Sequence, residues 1–242
     1  MRNVASDVPR RRIRWQPCYR IIPSRFPPIN LFERVAAPED LDAVFELESL
    51  TNDRLRDEVG EIRLVPPAER VTGPGAGYIM AAFTHPHPAG ARFSEGRQGA
   101  YYAARELPTA IAETAYHRRL FMLATSQPPM QLDMRVLEAA LDGRLHDLRG
   151  VQQVRPDVYD PDDYAAGQRF ARELRAAGSD GVVYHSVRRA GGQCAAVFRP
   201  RRLRDCRATR HLTYVWNGES IDVVYEKREA GRDLASWMDT AL

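Results

Sequence analysis

The stretch Gly90 to His117, GARFSEGRQGAYYAARELPTAIAETAYH, constrains the fold more than any other part of the chain. A glycine-rich loop carrying Arg92 leads into a short aromatic run, Ala100 to Ala104. A helix is expected next, from Leu107 to about Leu123. Pro108 suits the first turn of that helix, where an N–H would have no partner, and Pro128-Pro129 stops it from continuing. Loop, strand and helix so close in sequence make one packing unit. A loop arginine, a strand tyrosine and the helix acid Glu113 can then converge on one small anionic ligand.

The remaining elements do not alternate as regular strand–helix–strand units. Residues 13–22, rich in β-formers, predict a first strand interrupted near Pro17, preceded by a flexible basic tail over 1–11, and the charge cluster RRRIRW at Arg10 to Trp15 reads as a solvated arm. Pro38 to about Asp57 predicts a helix with Leu41, Val44, Phe45, Leu47, Leu50 and Leu55 on its apolar face. Residues 65–77 read as a loop and Tyr78 to Phe83 as a short apolar element of either type. Gln131 to Val136 reads as a strand, Leu137 to Leu141 as a helical turn, and Asp163 to Ala177 as a helix capped by Gly178. Gly181 to Ser186 and Cys194 to Phe198 are short apolar runs, expected as core strands. Asn217-Gly218 predicts a two-residue hairpin between Leu212–Trp216 and Ser220–Tyr225, and residues 227–242 resemble a terminal helix. The pattern predicts an α+β fold with largely antiparallel pairing. It forms one domain over 12–226, with a helical insert at about 30–77.

Composition excludes several functions. The net charge is only +3, Lys227 is the only lysine, and no amphipathic helix is rich in arginine, so direct nucleic-acid binding is not expected. No run approaches the roughly 18 apolar residues of a membrane helix. The basic N-terminus has no apolar stretch behind it, which points to a cytoplasmic protein. Cys18, Cys194 and Cys206 form no CxxC pair, and the lone HxH at His85 and His87 lies between prolines, so no metal site is expected. GPGAG lacks the Gly-Lys-Ser/Thr of a P-loop.

Within the central stretch, Tyr101 and Tyr102 point to opposite faces of a strand. One enters the core and the other can stack on a planar ring; periodicity leaves open which. Glu113 shares a helix stripe with Thr109 and His117. It either points into a pocket or forms a solvated pair with His117. Ser186 closes a strand, with no partnered base beside it and no G-x-S-x-G elbow.

Here the sequence resembles the RES-domain family, toxins of bacterial toxin–antitoxin pairs named for an Arg, a Glu and a Ser. The resemblance rests on CYR at Cys18 to Arg20, GARFSEG at Gly90 to Gly96, AYYAARELPTAIAETAYH at Ala100 to His117 and GSDGVVYHSVRRAGGQCAAVF at Gly178 to Phe198, in the family's order over roughly 15–200. It implies an ADP-ribosyltransferase-like fold with mostly antiparallel sheets and flanking helices, and NAD⁺ as substrate with no metal. It implies that Glu113, Arg92 and Ser186 are catalytic, and that Arg20, Arg92, Tyr102, His117 and Gln193 bind the dinucleotide. Phe93-Ser94 stands where the family often has Trp-Asn, and Gln193 where asparagine is common. The implied activity is cleavage of the nicotinamide–ribose bond, by water or phosphate. The alternatives are mono-ADP-ribosylation of a cellular protein, and a non-enzymatic antitoxin-binding protein. The implied partners are a helix-turn-helix (Xre-type) antitoxin and a second copy of the chain.

Overall fold

Arg10, Arg11, Arg12 and Arg14 belong to a strand rather than to a solvated arm. The structure is a computed structural model that describes residues 8–35, 37–49 and 54–228. The first seven residues of the expected tail, Thr51 to Asp53 and the expected helix beyond 228 lie outside the described residues. Strand β1 (Arg10–Pro23) buries Ile13 and Trp15 on one face. On the other, Arg12 donates to both carboxylate oxygens of Asp142 at 2.8 Å. The register slips between Trp15 and Cys18, around the expected interruption at Pro17.

Helices α1 (Asn30–Arg34), α2 (Leu41–Ser49), α3 (Arg54–Val59) and α4 (Ala76–Thr84) follow. The long helix expected from Pro38 is thus a 3-10 turn at Pro38–Asp40 and then α2, which leaves Leu47 exposed. Helix α4 settles the element at Tyr78 to Phe83. Its start is fixed by Glu33, whose carboxylate accepts from the backbone N–H groups of Gly75 at 3.0 Å and Gly77 at 3.2 Å. An acid at a helix N-terminus satisfies orphan donors and complements the dipole.

Then come β2 (Tyr101–Ala104), α5 (Leu107–Ala124), β3 (Met130–Asp147), α6 (Ala165–Ala176), β4 (Gly181–His185), β5 (Gln193–Val197), β6 (Leu203–Trp216) and β7 (Ile221–Lys227). Strand β3 corrects the helical turn expected at Leu137 to Leu141. Ala and Leu favour helix there, but β1 and β6 pair with both edges of the segment, and pairing overrides propensity. The hairpin also differs. Four residues, Asn217 to Ser220, connect β6 to β7, and the Asn217 amide oxygen accepts from the N–H groups of Glu219 and Ser220. Gly178, at φ 71°, caps α6 as expected, and Ser179 N–H reaches back to the Leu174 carbonyl at 2.9 Å.

The strands form one seven-stranded sheet in the order β1-β2-β5-β4-β3-β6-β7, and β1 also pairs with β3, so the first five close into a ring. All pairs are antiparallel except β3 with β4. The architecture is α+β, mostly antiparallel with flanking helices. Alternation along the strands divides the core in two. Tyr101, Ala103, Val183, Ala195 and Val197 pack against α1 and α4. Ala104, Val182, Tyr184, Cys194 and Ala196 pack against α6.

Candidate active site

Strand parity decides which tyrosine serves the site. Tyr101 is fully buried on the α4 side of the sheet. Tyr102 faces the other way, into a cleft of about 630 Å³. The cleft lies where β1 and β2 part, their only pair being Tyr19 with Ala104. Helix α5 forms its long wall. Ala110, Glu113, Thr114, His117, Phe121 and Ala124 line it at spacings of three and four, the stripe of one helix face.

Glu113 is held from beneath. Ser186, just past β4, donates its hydroxyl to Glu113 Oε1 at 2.6 Å. The backbone N–H groups of Arg188 and Arg189 both donate to Ser186 Oγ at 3.0 Å. A serine hydroxyl has one proton and two acceptor positions. With both acceptor positions taken, its proton is directed to the glutamate. Cys194 Sγ lies 3.8 Å from the same oxygen. Burial, then Glu113 itself, pushes the Cys194 thiol up, so it stays protonated. Among the described residues, no protein group bonds Oε2.

Arg92 sits at the tip of a tight turn closed by mutual backbone bonds between Ala91 and Ser94. Only 6% exposed, its guanidinium donates to the carbonyls of Val158, Asp160 and Pro161 and lies 4.7 Å from the centre of the Tyr164 ring. It therefore braces segment 158–164 as the wall opposite α5. Phe93 packs edge-on against Tyr184 at 4.9 Å, and Ser94 Oγ lies 3.0 Å from the Tyr102 hydroxyl, which also accepts from Phe93 N–H at 2.9 Å. Desolvation pushes the Tyr102 phenol up, so it is neutral.

Arg20 lines the cleft floor. Its Nη1 donates to the Tyr102 carbonyl at 3.2 Å and its guanidinium lies 4.9 Å from the Tyr101 ring centre. His117 is exposed at the residue level, yet its ring is held down to about 4 by desolvation and by the guanidiniums of Arg188, Arg118 and Arg92. Three like charges disfavour the imidazolium, so the imidazole is neutral at pH 7. Gln193 stands apart. It does not line the cleft, and its side-chain oxygen accepts from Arg149 at 2.7 Å.

Arg20, Arg92, Tyr102, Glu113 and His117 thus share one cleft, with Ser186 behind Glu113. Sequence reasoning missed Arg118, Tyr164, Tyr184 and Cys194, which also line it, and His87 from the HxH loop. Arg118 carried a signal, standing four residues after Thr114 on the stripe. Tyr164, reached through a loop remote from α5, carried none.

The family described as the RES domain matches residues 67–217. This interval includes every residue named above from Arg92 to Gln193 and leaves β1, with Arg20, outside. The chain is 33% identical over 219 residues, 89% of its length and 90% of the relative's, to "Uncharacterized protein y4oC" of Sinorhizobium fredii (strain NBRC 101917 / NGR234). Among solved structures it is similar to a chain of the M. tuberculosis MbcT-MbcA toxin-antitoxin complex. That likeness has 15% identity and a TM-score of 0.43, covering 86% of this chain and 87% of that one.

Proposed function

The chain belongs to the RES domain family, and on that premise we propose that it cleaves the nicotinamide–ribose bond of NAD⁺, acting as the toxin of a toxin–antitoxin pair. The observation that carries the proposal is the Glu113 carboxylate, fixed by Ser186 in a cleft shared with an aromatic ring and several arginines. Cleaving this bond leaves positive charge on the ribose, as glycoside hydrolysis does. Nicotinamide leaves as a neutral molecule, so its departure needs no general acid. Water then bonds to the anomeric carbon and releases a proton, giving ADP-ribose. The chain's task is electrostatic. Glu113 stabilises the ribosyl cation, Ser186 keeps the carboxylate from turning, and the neutral Tyr102 ring walls the nicotinamide end. Arg92 acts by holding Tyr164 in place.

A second reading, transfer of ADP-ribose to a protein, is favoured by the cleft mouth. Leu120 and Phe121 line it while 41% and 45% exposed, with Leu123 beside them at 43%, a surface suited to a protein rather than to water. In the first reading an antitoxin would cover that mouth.

The test is to incubate the purified protein with NAD⁺, with and without phosphate and with a cell lysate, following nicotinamide and ADP-ribose. Release without lysate identifies a glycohydrolase, or a phosphorylase if phosphate is required. Release only with lysate, with label on protein, identifies a transferase. No release under any condition overturns the proposal. Relief of growth arrest by a co-expressed small helix-turn-helix protein tests the pairing, and failure to relieve it counts against an antitoxin.

A further inference from the structure

The two arginines that the family resemblance assigns to the dinucleotide both make contacts with the cleft walls. Arg92 spends both hydrogens of Nη1 on the Val158 and Asp160 carbonyls and directs Nη2 at Pro161, and Tyr164 covers one face. Arg20 gives Nη1 to the Tyr102 carbonyl and lies over the Tyr101 ring. Both hold the walls. Arg92 thus presents no open fork for bidentate phosphate recognition, whereas Arg20 has only Nη1 engaged and is tied by it to β2.

Arg118 is in the opposite condition. It lines the cleft from α5, is half-buried, and has no carboxylate or hydrogen-bond partner among the described residues. Its guanidinium carbon lies 5.3 Å from the centre of the Phe121 ring. Desolvation, then the nearby charge of Arg25, pushes it below the usual arginine range. A cation kept from water beside another cation is costly, and an anion in the cleft offsets that cost. The field is shared, because Arg188, Arg118 and Arg92 all bear on His117. The neutral His117 ring, one residue before Arg118, can donate a hydrogen bond to the same anion.

Helix α5 also sets the spacing. Arg118 is five residues beyond Glu113, an axial rise of about 7.5 Å, and Phe121 is about 4.5 Å further. With the anomeric carbon at Glu113, a ribose ring and its methylene separate that carbon from the first phosphate. The side chains past Arg118, Leu120, Phe121 and Ala124, are apolar and line the cleft. They suit the flat face of a purine.

We infer that Arg118 binds the diphosphate of the dinucleotide, assisted by His117, so that the substrate lies along α5 with its nicotinamide end at Glu113 and its adenine end at Phe121. This rests on the dinucleotide reading above and adds the substrate's direction in the cleft.

The experiment is calorimetric titration of the full chain and of Arg118→Gln and Arg118→Lys with ADP-ribose and with adenosine. In the native chain ADP-ribose binds tighter than adenosine. Arg118→Gln weakens ADP-ribose on the order of 10- to 100-fold and leaves adenosine unchanged, the scale of a lost charge-assisted bond. Arg118→Lys recovers part of the loss, keeping the charge without the fork. A native preference for ADP-ribose that survives Arg118→Gln overturns the assignment while the dinucleotide reading stands. Binding of neither probe by the native chain overturns both. NMR titration of His117 in the native chain is independent of any variant. ADP-ribose raises its pKa and adenosine does not; an unmoved His117 with ADP-ribose bound places the diphosphate elsewhere and overturns the inference.

Discussion

Ser186 has a single proton, and two backbone amides decide where it goes. With Arg188 and Arg189 N–H groups on its oxygen, the hydroxyl can only donate to Glu113. Ser186→Ala therefore removes a donor from a carboxylate and an acceptor from two amides, at about 1–3 kcal/mol for each group left unpaired and buried. We expect a lower melting temperature and roughly tenfold slower turnover, with KM little changed because the cleft walls stay in place. Turnover equal to the native chain's would remove Ser186 from the site. His117 predicts a pH effect. Its folded pKa, about 4, lies below the usual histidine value, so the unfolded chain binds its proton first. The contribution is complete above about pH 6.5 and is lost as pH falls through 6.5 towards 4. Melting curves over that range should show a shallower decline for His117→Gln, and parallel declines would contradict the shift. At this scale Arg20, Arg92, Glu113 and Ser186 were legible as an ordered set, while their contacts were not. Which groups accept from an arginine depends on segments far away in sequence, such as 158–161 for Arg92. GPGAG shows the same limit. Its glycines do hold an anion, but it is the carboxylate of Glu33, 42 residues before Gly75.

Among the elements, those with flanking signals were read well. Helix α5 runs from Leu107 to Ala124 with Pro108 in its first turn, and α6 ends at its glycine. Strand β3 was read as a strand only over Gln131 to Val136; Leu137 to Leu141 was misread because Val136 and Leu137 are buried in different cores, which erases alternation and leaves only the helix-favouring composition. The arginines of β1 were misread because the acids that pair with them lie far off, Asp142 being 130 residues from Arg12. Helix α6 gives a prediction of opposite sign to propensity. Gly167→Ala in an exposed helix gains up to about 1 kcal/mol. Here the new Cβ would stand 2.4 Å from the Arg92 carbonyl oxygen, so the helix or the Arg92 turn must move. We expect the melting temperature to fall by about 2–4 °C for each kcal/mol lost, together with a loss of turnover as Tyr164 shifts. A stabilised, fully active variant would show that α6 does not position the cleft wall.

For the whole molecule, closure of the sheet through β1 explains why a stretch outside the matched interval still contributes to the site. β1 joins β2 to β3 and brings Tyr19, Arg20 and Ile21 to the cleft floor. The α+β class with antiparallel pairing was legible from the order of runs; the ring was not, because β1 pairs with β3 across about half the chain, Arg10 lying opposite His146. Among the described residues no helix is long and apolar enough to cross a membrane. The account's central claim is that the cleft between β1, β2 and α5 uses Glu113 to break the nicotinamide–ribose bond. The most direct measurement is nicotinamide release from NAD⁺ by the native chain and by Glu113→Gln, with both shown to be folded, under whichever acceptor condition supports turnover. The account predicts release by the native chain and a fall on the order of 10²-fold or more in the variant, the scale of a lost preorganised electrostatic group. Equal release by the two, or none by the native chain with water, phosphate or lysate, would contradict it.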